Sequence, residues 1–143
     1  LPDCAGEDSV SNLPLWEGRS GPVREATVHH SIDGSFAIRQ GRWKLELCPG
    51  SGGWSEPRPG KACEGLPPVQ LYDLASDIGE RRNVQAEHPE VVARLTALLA
   101  RYVRDGRSTP GARQPNTGPA RWPQLAWMAD VHRKRSSRSR AGK

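Results

Sequence analysis

The chain has 143 residues, of which 35% are hydrophobic and 26% charged, with 15 glycines and 13 prolines; this suits one domain, disfavours an all-helical bundle, and leaves no apolar run near the roughly 20 residues of a membrane span. The net charge of +5 sits at one end. Residues 133–143 carry six basic side chains (Arg133, Lys134, Arg135, Arg138, Arg140, Lys143) and no acid, leaving 15 basic against 16 acidic residues in 1–132, so a basic patch covering a folded domain is excluded and nucleic acid is an unlikely partner beyond that tail.

Leu1 to Asp8 has neither the positive flank nor the apolar core of a signal peptide and reads as sequence from the middle of a longer protein. Residues 7–17 predict a short helix, with Asp8 or Ser9 as cap and Gly18 as stop, although Pro14 opposes it. Ala26-Thr-Val-His-His30 favours a pleated backbone, and Asp33-Gly34 signals a tight hairpin turn. Phe36–Arg39 then returns as a second strand. Trp43-Lys-Leu-Glu-Leu47 alternates apolar and charged residues, as a sheet wet on one face requires. Val69–Leu74 alternates likewise as a fourth strand. Val91, Val92, Leu95, Leu98, Leu99, Tyr102 and Val103 form one helical stripe, and Pro89 and Gly106 bracket a helix over 89–105. The expected fold is therefore α+β: a small antiparallel sheet of about four strands covered by one C-terminal helix.

Between the third and fourth strands, residues 49–68 hold five Gly and five Pro in twenty positions, and a loop that long in a small domain is functional or mobile. Residues 106–120 read as a linker and the Ser/Arg run as a disordered tail. Cys48 and Cys63 bracket the loop and can close it as a disulfide; with Cys4 the count is odd, and free thiols are the preferred reading. His29 and His30 are adjacent on a strand, so they point to opposite faces and cannot share a metal. His88 is expected as a cap or surface residue. Asp77 and Asn83 fit Asx-turns better than a calcium loop. There is no His-Glu-x-x-His, no Gly-x-Ser-x-Gly and no phosphate-binding glycine loop.

Gly34-Ser-Phe-Ala-Ile-Arg-Gln-Gly-Arg-Trp-Lys-Leu-Glu-Leu47, followed by Leu71-Tyr-Asp-Leu-Ala-Ser-Asp-Ile-Gly-Glu-Arg-Arg-Asn-Val84, resembles the C-terminal subdomain of the arylsulfatase family, and the likeness extends over residues 1 to about 111. The family usually has Pro where Ile78 stands and often Asp where Cys4 stands. The resemblance implies the small sheet-and-helix part of an alkaline-phosphatase-like enzyme that hydrolyses sulfuric esters. It divides the chain into a lead-in segment (1–18), the subdomain (19–105), and a linker with the basic tail (106–143). The family's formylglycine nucleophile matures from Cys/Ser-x-Pro-Ser-Arg, and its calcium is held in the large domain. This sequence has no such pentapeptide, so no catalytic residue carries over. Calcium and formylglycine are implied only for regions absent from this chain, and the chain alone is expected to be inactive. The implied partners are an N-terminal catalytic sulfatase domain and a sulfate-ester substrate, with no membrane, in the periplasm or outside the cell. The resemblance implies a substrate rim that comprises His29, His30, Ser51, Gly52, Gly53 and Trp54. The loop from Pro49 to Glu56 is expected on the same sheet edge as one of the histidines. The rival reading is a stand-alone, non-catalytic module that grips sulfated or acidic glycans through the 49–68 loop, with Arg58 and Lys61, and through the basic tail.

Overall fold

The computed structural model describes residues 5, 6, 8–115, 117–119 and 122–129. Strands β1 (Thr27–His30), β2 (Phe36–Gln40), β3 (Trp43–Glu46) and β4 (Gln70–Asp73) form one antiparallel sheet in chain order. Val28 lies opposite Ile38, Ile38 opposite Leu45, and Leu45 opposite Leu71. One apolar residue from each strand thus stands in a single row. Strand side chains alternate between faces, so Arg39, Lys44 and Tyr72 form a row on the other side.

Helix α2 (Pro89–Asp105) covers the apolar row. Its Leu95 and Leu99 are sealed from solvent, as are Ile38, Leu45 and Leu71, and each such burial contributes on the order of 1.5–3 kcal/mol. Gly106 closes the helix in the left-handed conformation, φ 64°, and donates its N–H to Tyr102 O. The α+β architecture expected from the periodicities is the one observed. His88 occupies the N-cap position but makes no side-chain cap bond; its ring lies 4.8 Å from that of Trp43.

Two local expectations are corrected. Helix α1 spans only Leu13–Trp16 instead of 7–17, because proline is tolerated only in the first turn, so a helix containing Pro14 cannot extend back to residue 7. The β1–β2 turn is longer than a two-residue hairpin. Ser31 N donates to Ser35 O and Gly34 N to Ser31 O, with Gly34 alone left-handed at φ 83°. Asp33 uses its carboxylate instead, accepting Ser31 Oγ at 2.6 Å and Ser35 N at 2.8 Å.

The stretch read as linker and tail also gains structure. Gln114 N bonds to Asp105 O, and Ser108 N to Asp8 Oδ1. Residues 122–129 include a 3₁₀ turn, Pro123–Leu125. Leu125 and Trp127 pack against the core, and the Trp122 ring meets Phe36 edge-on. The Arg133–Lys143 run lies outside the described residues.

Candidate functional site

The loop after β3 is built around close backbone approaches. Gly52, left-handed at φ 63°, presses on the β1–β2 turn: a Cβ there would fall 2.5 Å from Ser31 Oγ. Its carbonyl accepts Asp33 N at 3.1 Å. Gly53 lies against Ile32. Ser51 Oγ donates to Ser55 O at 2.6 Å and accepts Gly53 N at 3.1 Å, while Ser51 N donates to Pro57 O. At the base of the loop, Gln70 Nε2 of β4 donates to both Cys48 O and Gly50 O, at 3.0 and 2.9 Å. Tyr72 OH holds the other end of that amide at 2.7 Å. A loop rich in Gly and Pro is thereby shaped by the side chains of Ser51, Gln70 and Tyr72 rather than by regular structure.

The structure therefore brings Ser51, Gly52 and Gly53 against the turn that follows His30. The His30 ring meets Phe36 at 4.2 Å on the helix-covered face, whereas His29, paired with Ala37, takes the opposite face. Both histidines are exposed, so neither is a core residue. Trp54 projects into solvent with 79% of its surface accessible.

Sequence reasoning missed Asp33, Gln70, Gln124 and Trp127. Gln124 Nε2 donates to Asp33 O at 2.9 Å, which fixes residues 123–127 as a wall opposite the loop. A cleft of about 580 Å³ lies between them, lined by Asp33, Cys48, Gly50, Cys63, Glu64 and Trp127 among others. For the 123–127 wall the signal in the sequence was the apolar run Leu125-Ala-Trp-Met-Ala129 after a long polar stretch.

The electrostatics of the site follow from its packing. Burial works against ionisation of Asp33, but the Ser31 and Ser35 hydrogen bonds hold its carboxyl below the usual range. Burial, then the Glu46 carboxylate, pushes the Cys48 thiol up. Cys48 and Cys63 are both free thiols, donating to Gly50 O and Arg58 O; Cys4 lies outside the described residues. Behind the loop, Lys44 Nζ bridges Glu46 and Glu80 at 2.8 and 2.7 Å. Asp77 Oδ2 accepts Arg81 N and Arg82 N, and Asn83 Oδ1 accepts Leu71 N and Gln85 N. Both act as turn-formers.

No family model matches the chain. A curated relative, the N-acetylgalactosamine-6-O-sulfatase of Bacteroides thetaiotaomicron, is 35% identical over 107 residues, taking in 69% of this chain and 19% of that protein. A solved structure from the same organism, described as a 6S-sulf from a locus for metabolism of multiple glycosaminoglycans, superimposes with a TM-score of 0.53. It is 32% identical, over 69% of this chain and 20% of its own. The chain belongs to the sulfatase family. It spans about a fifth of the length of the relatives it matches, and the sheet and helix of this sulfatase subdomain are those the resemblance implied.

The donor set of the subdomain does not fit calcium. Among the described residues no three His, Cys, Asp or Glu side chains gather as a metal shell needs, and Asp33 commits Oδ1 to Ser31 and Ser35. Among the described residues, no helix is long and apolar enough to cross a membrane.

Proposed function

We propose that this sulfatase subdomain walls the part of a substrate cleft that receives the organic side of a sulfate ester, and that it turns over no ester by itself. The reading is supported chiefly by the 35% identity to an N-acetylgalactosamine-6-O-sulfatase. Sulfate-ester cleavage needs a strong nucleophile and converging cations around the sulfate oxygens. Four short strands and one helix supply neither, but they hold a rigid edge on which a sugar can be positioned.

In this reading the ester belongs to a sulfated sugar, and a large catalytic domain is the partner. Trp54 offers a flat apolar face to the ring, His30 a polar edge, and the glycines at 52 and 53 let backbone approach closely. These groups bind and orient. They transfer no proton and form no bond to sulfur.

The test is a chimera in which this chain replaces the matching portion of the Bacteroides thetaiotaomicron enzyme. Desulfation of 6-O-sulfated N-acetylgalactosamine should persist in the chimera and be absent from the chain alone. Trp54→Ala and His30→Ala should each raise KM by about tenfold, the equivalent of about 1.4 kcal/mol of lost binding, with kcat little changed. Turnover by the isolated chain sinks the division of labour, and unchanged KM in both variants sinks the rim.

A further inference from the structure

Resting on the sulfatase reading, we propose that Gln70, oriented by Tyr72, is a positioning residue for the substrate: it sets the place of the Trp54 face that meets the sugar. Neither side chain belongs to the rim itself. Both stand on β4, two positions apart and therefore on one face of the sheet.

The polarity of the hydrogen bonds admits one arrangement. Cys48 O and Gly50 O can only accept, so the amide nitrogen of Gln70 must face them, at 3.0 and 2.9 Å. The amide oxygen then faces Tyr72, 2.7 Å away, and the phenol must donate. Burial, and then Glu46, raises that phenol to about 12, so the proton it donates stays in place at neutral pH. The third neighbour of the amide nitrogen, Glu46 Oε2 at 3.3 Å, is likewise an acceptor. A flipped amide would set its oxygen against three others. Tyr72 thus locks the orientation, and Gln70 passes it to the loop.

What Gln70 holds is the root of the rim. Residues 49–56 form no strand or helix. From Gly50 the chain passes directly into a turn organised by Ser51, whose N–H donates to Pro57 O and whose hydroxyl donates to Ser55 O and accepts Gly53 N. Trp54 lies within that turn, so a shift at Gly50 is carried to the indole. Gly50 is packed from its other side as well: a Cβ there would fall 2.5 Å from both Pro57 O and Cys63 Sγ. The far side of the turn is tied through Gly52 O, which accepts Asp33 N. The exposed ring is therefore held between a backbone anchor on the β1–β2 turn and a side-chain anchor on β4.

Gln70→Met keeps the length of the side chain and removes both donors; Tyr72→Phe keeps the ring and frees the amide to turn. In the 143-residue chain, hydrogen exchange at the Ser51 amide should quicken about tenfold in the first and about threefold in the second. Exchange at Val84, whose amide bonds to Leu71 O, should not change. In the chimera, Gln70→Met should raise KM about fivefold with kcat little changed. In a Trp54→Ala chimera it should add nothing, because the ring it positions is gone, and Tyr72→Phe should be silent in a Gln70→Met chimera. A side chain that only stabilised the fold would instead lower the yield of active enzyme, and so the apparent kcat, in either background. Unchanged Ser51 exchange in both variants, or KM increases for Gln70→Met and Trp54→Ala that multiply, overturns the proposal. An inactive parent chimera refutes the cleft-wall function and with it this role in binding. An active chimera whose KM responds to Trp54→Ala and not to Gln70→Met refutes the positioning role alone.

Discussion

Gly52→Ala tests whether the loop is seated on the β1–β2 turn. The backbone there has φ 63°, a conformation that costs an alanine about 1–2 kcal/mol. The added methyl would also fall 2.5 Å from Ser31 Oγ and 2.8 Å from its Cβ, so the serine must move. Doing so breaks its 2.6 Å bond to the Asp33 carboxylate. A hydrogen bond to a charged group contributes about 1.5–3 kcal/mol, toward the lower end at an exposed site. The expected total is about 2.5–4 kcal/mol, or less if the loop lifts off and the loss stops at the free energy of docking. Gly41→Ala is the control: its φ is 58°, and nothing lies within 4 Å of the added methyl. It should cost only about 1–2 kcal/mol. Urea unfolding of the two variants, followed by tryptophan fluorescence, measures the difference. Hydrogen exchange at the Asp33 amide, which bonds to Gly52 O, reports whether undocking is local. Equal losses in both variants with Asp33 still protected would refute the close approach.

Burial, and then the Glu46 and Glu80 carboxylates, raises the Tyr72 phenol to about 12. Its proton is thus held more tightly in the folded chain than in the unfolded one, where the pKa is about 10. Stability is fully present below pH 10 and falls between pH 10 and 12; Tyr72→Phe should flatten that fall, and tyrosinate absorbance developing fully near pH 10 in folded protein would contradict it. Burial likewise raises Cys48, so in a chain carrying Cys4→Ser and Cys63→Ser, iodoacetamide at pH 8 should alkylate the folded thiol more slowly than the urea-unfolded one. Leu99→Ala should cost about 2–5 kcal/mol in the same unfolding assay, because its side chain is sealed beneath the sheet; a loss below 1 kcal/mol would mean α2 does not close the core.

The elements with strong periodicity were legible before any coordinates. Leu45 and Leu47 alternate with charges, and Leu95 and Leu99 recur at helical spacing, because burial on one face leaves that mark. The β1–β2 turn was half legible: Asp33-Gly34 announced a reversal, but not that Asp33 would cap it through its carboxylate while Gly34 alone turned left-handed. The shape of the 49–68 loop was hidden for a different reason. It depends on Gln70, a strand residue twenty positions from Gly50, whose amide reaches back to Cys48 O and Gly50 O. Trp127 was hidden too: Leu125-Ala-Trp-Met-Ala129 is an apolar run too short to carry a period, so it does not show which surface it will find.

The Asn83 side chain does more than form a turn. Its Oδ1 takes Leu71 N, its Nδ2 donates to Val69 O, and the next residue, Val84, donates its N–H to Leu71 O. Together these occupy the outward backbone groups of β4, the last strand of the sheet, much as a fifth strand would. Among the described residues, the outer side of β1 carries no such clip. The sheet is consequently polar in its capacity to grow: among the described residues, the side open to an added extended segment is that of Thr27–His30. Strand addition, whether it serves assembly or leads to aggregation, therefore starts next to the histidines and leaves the Gln70 clamp undisturbed.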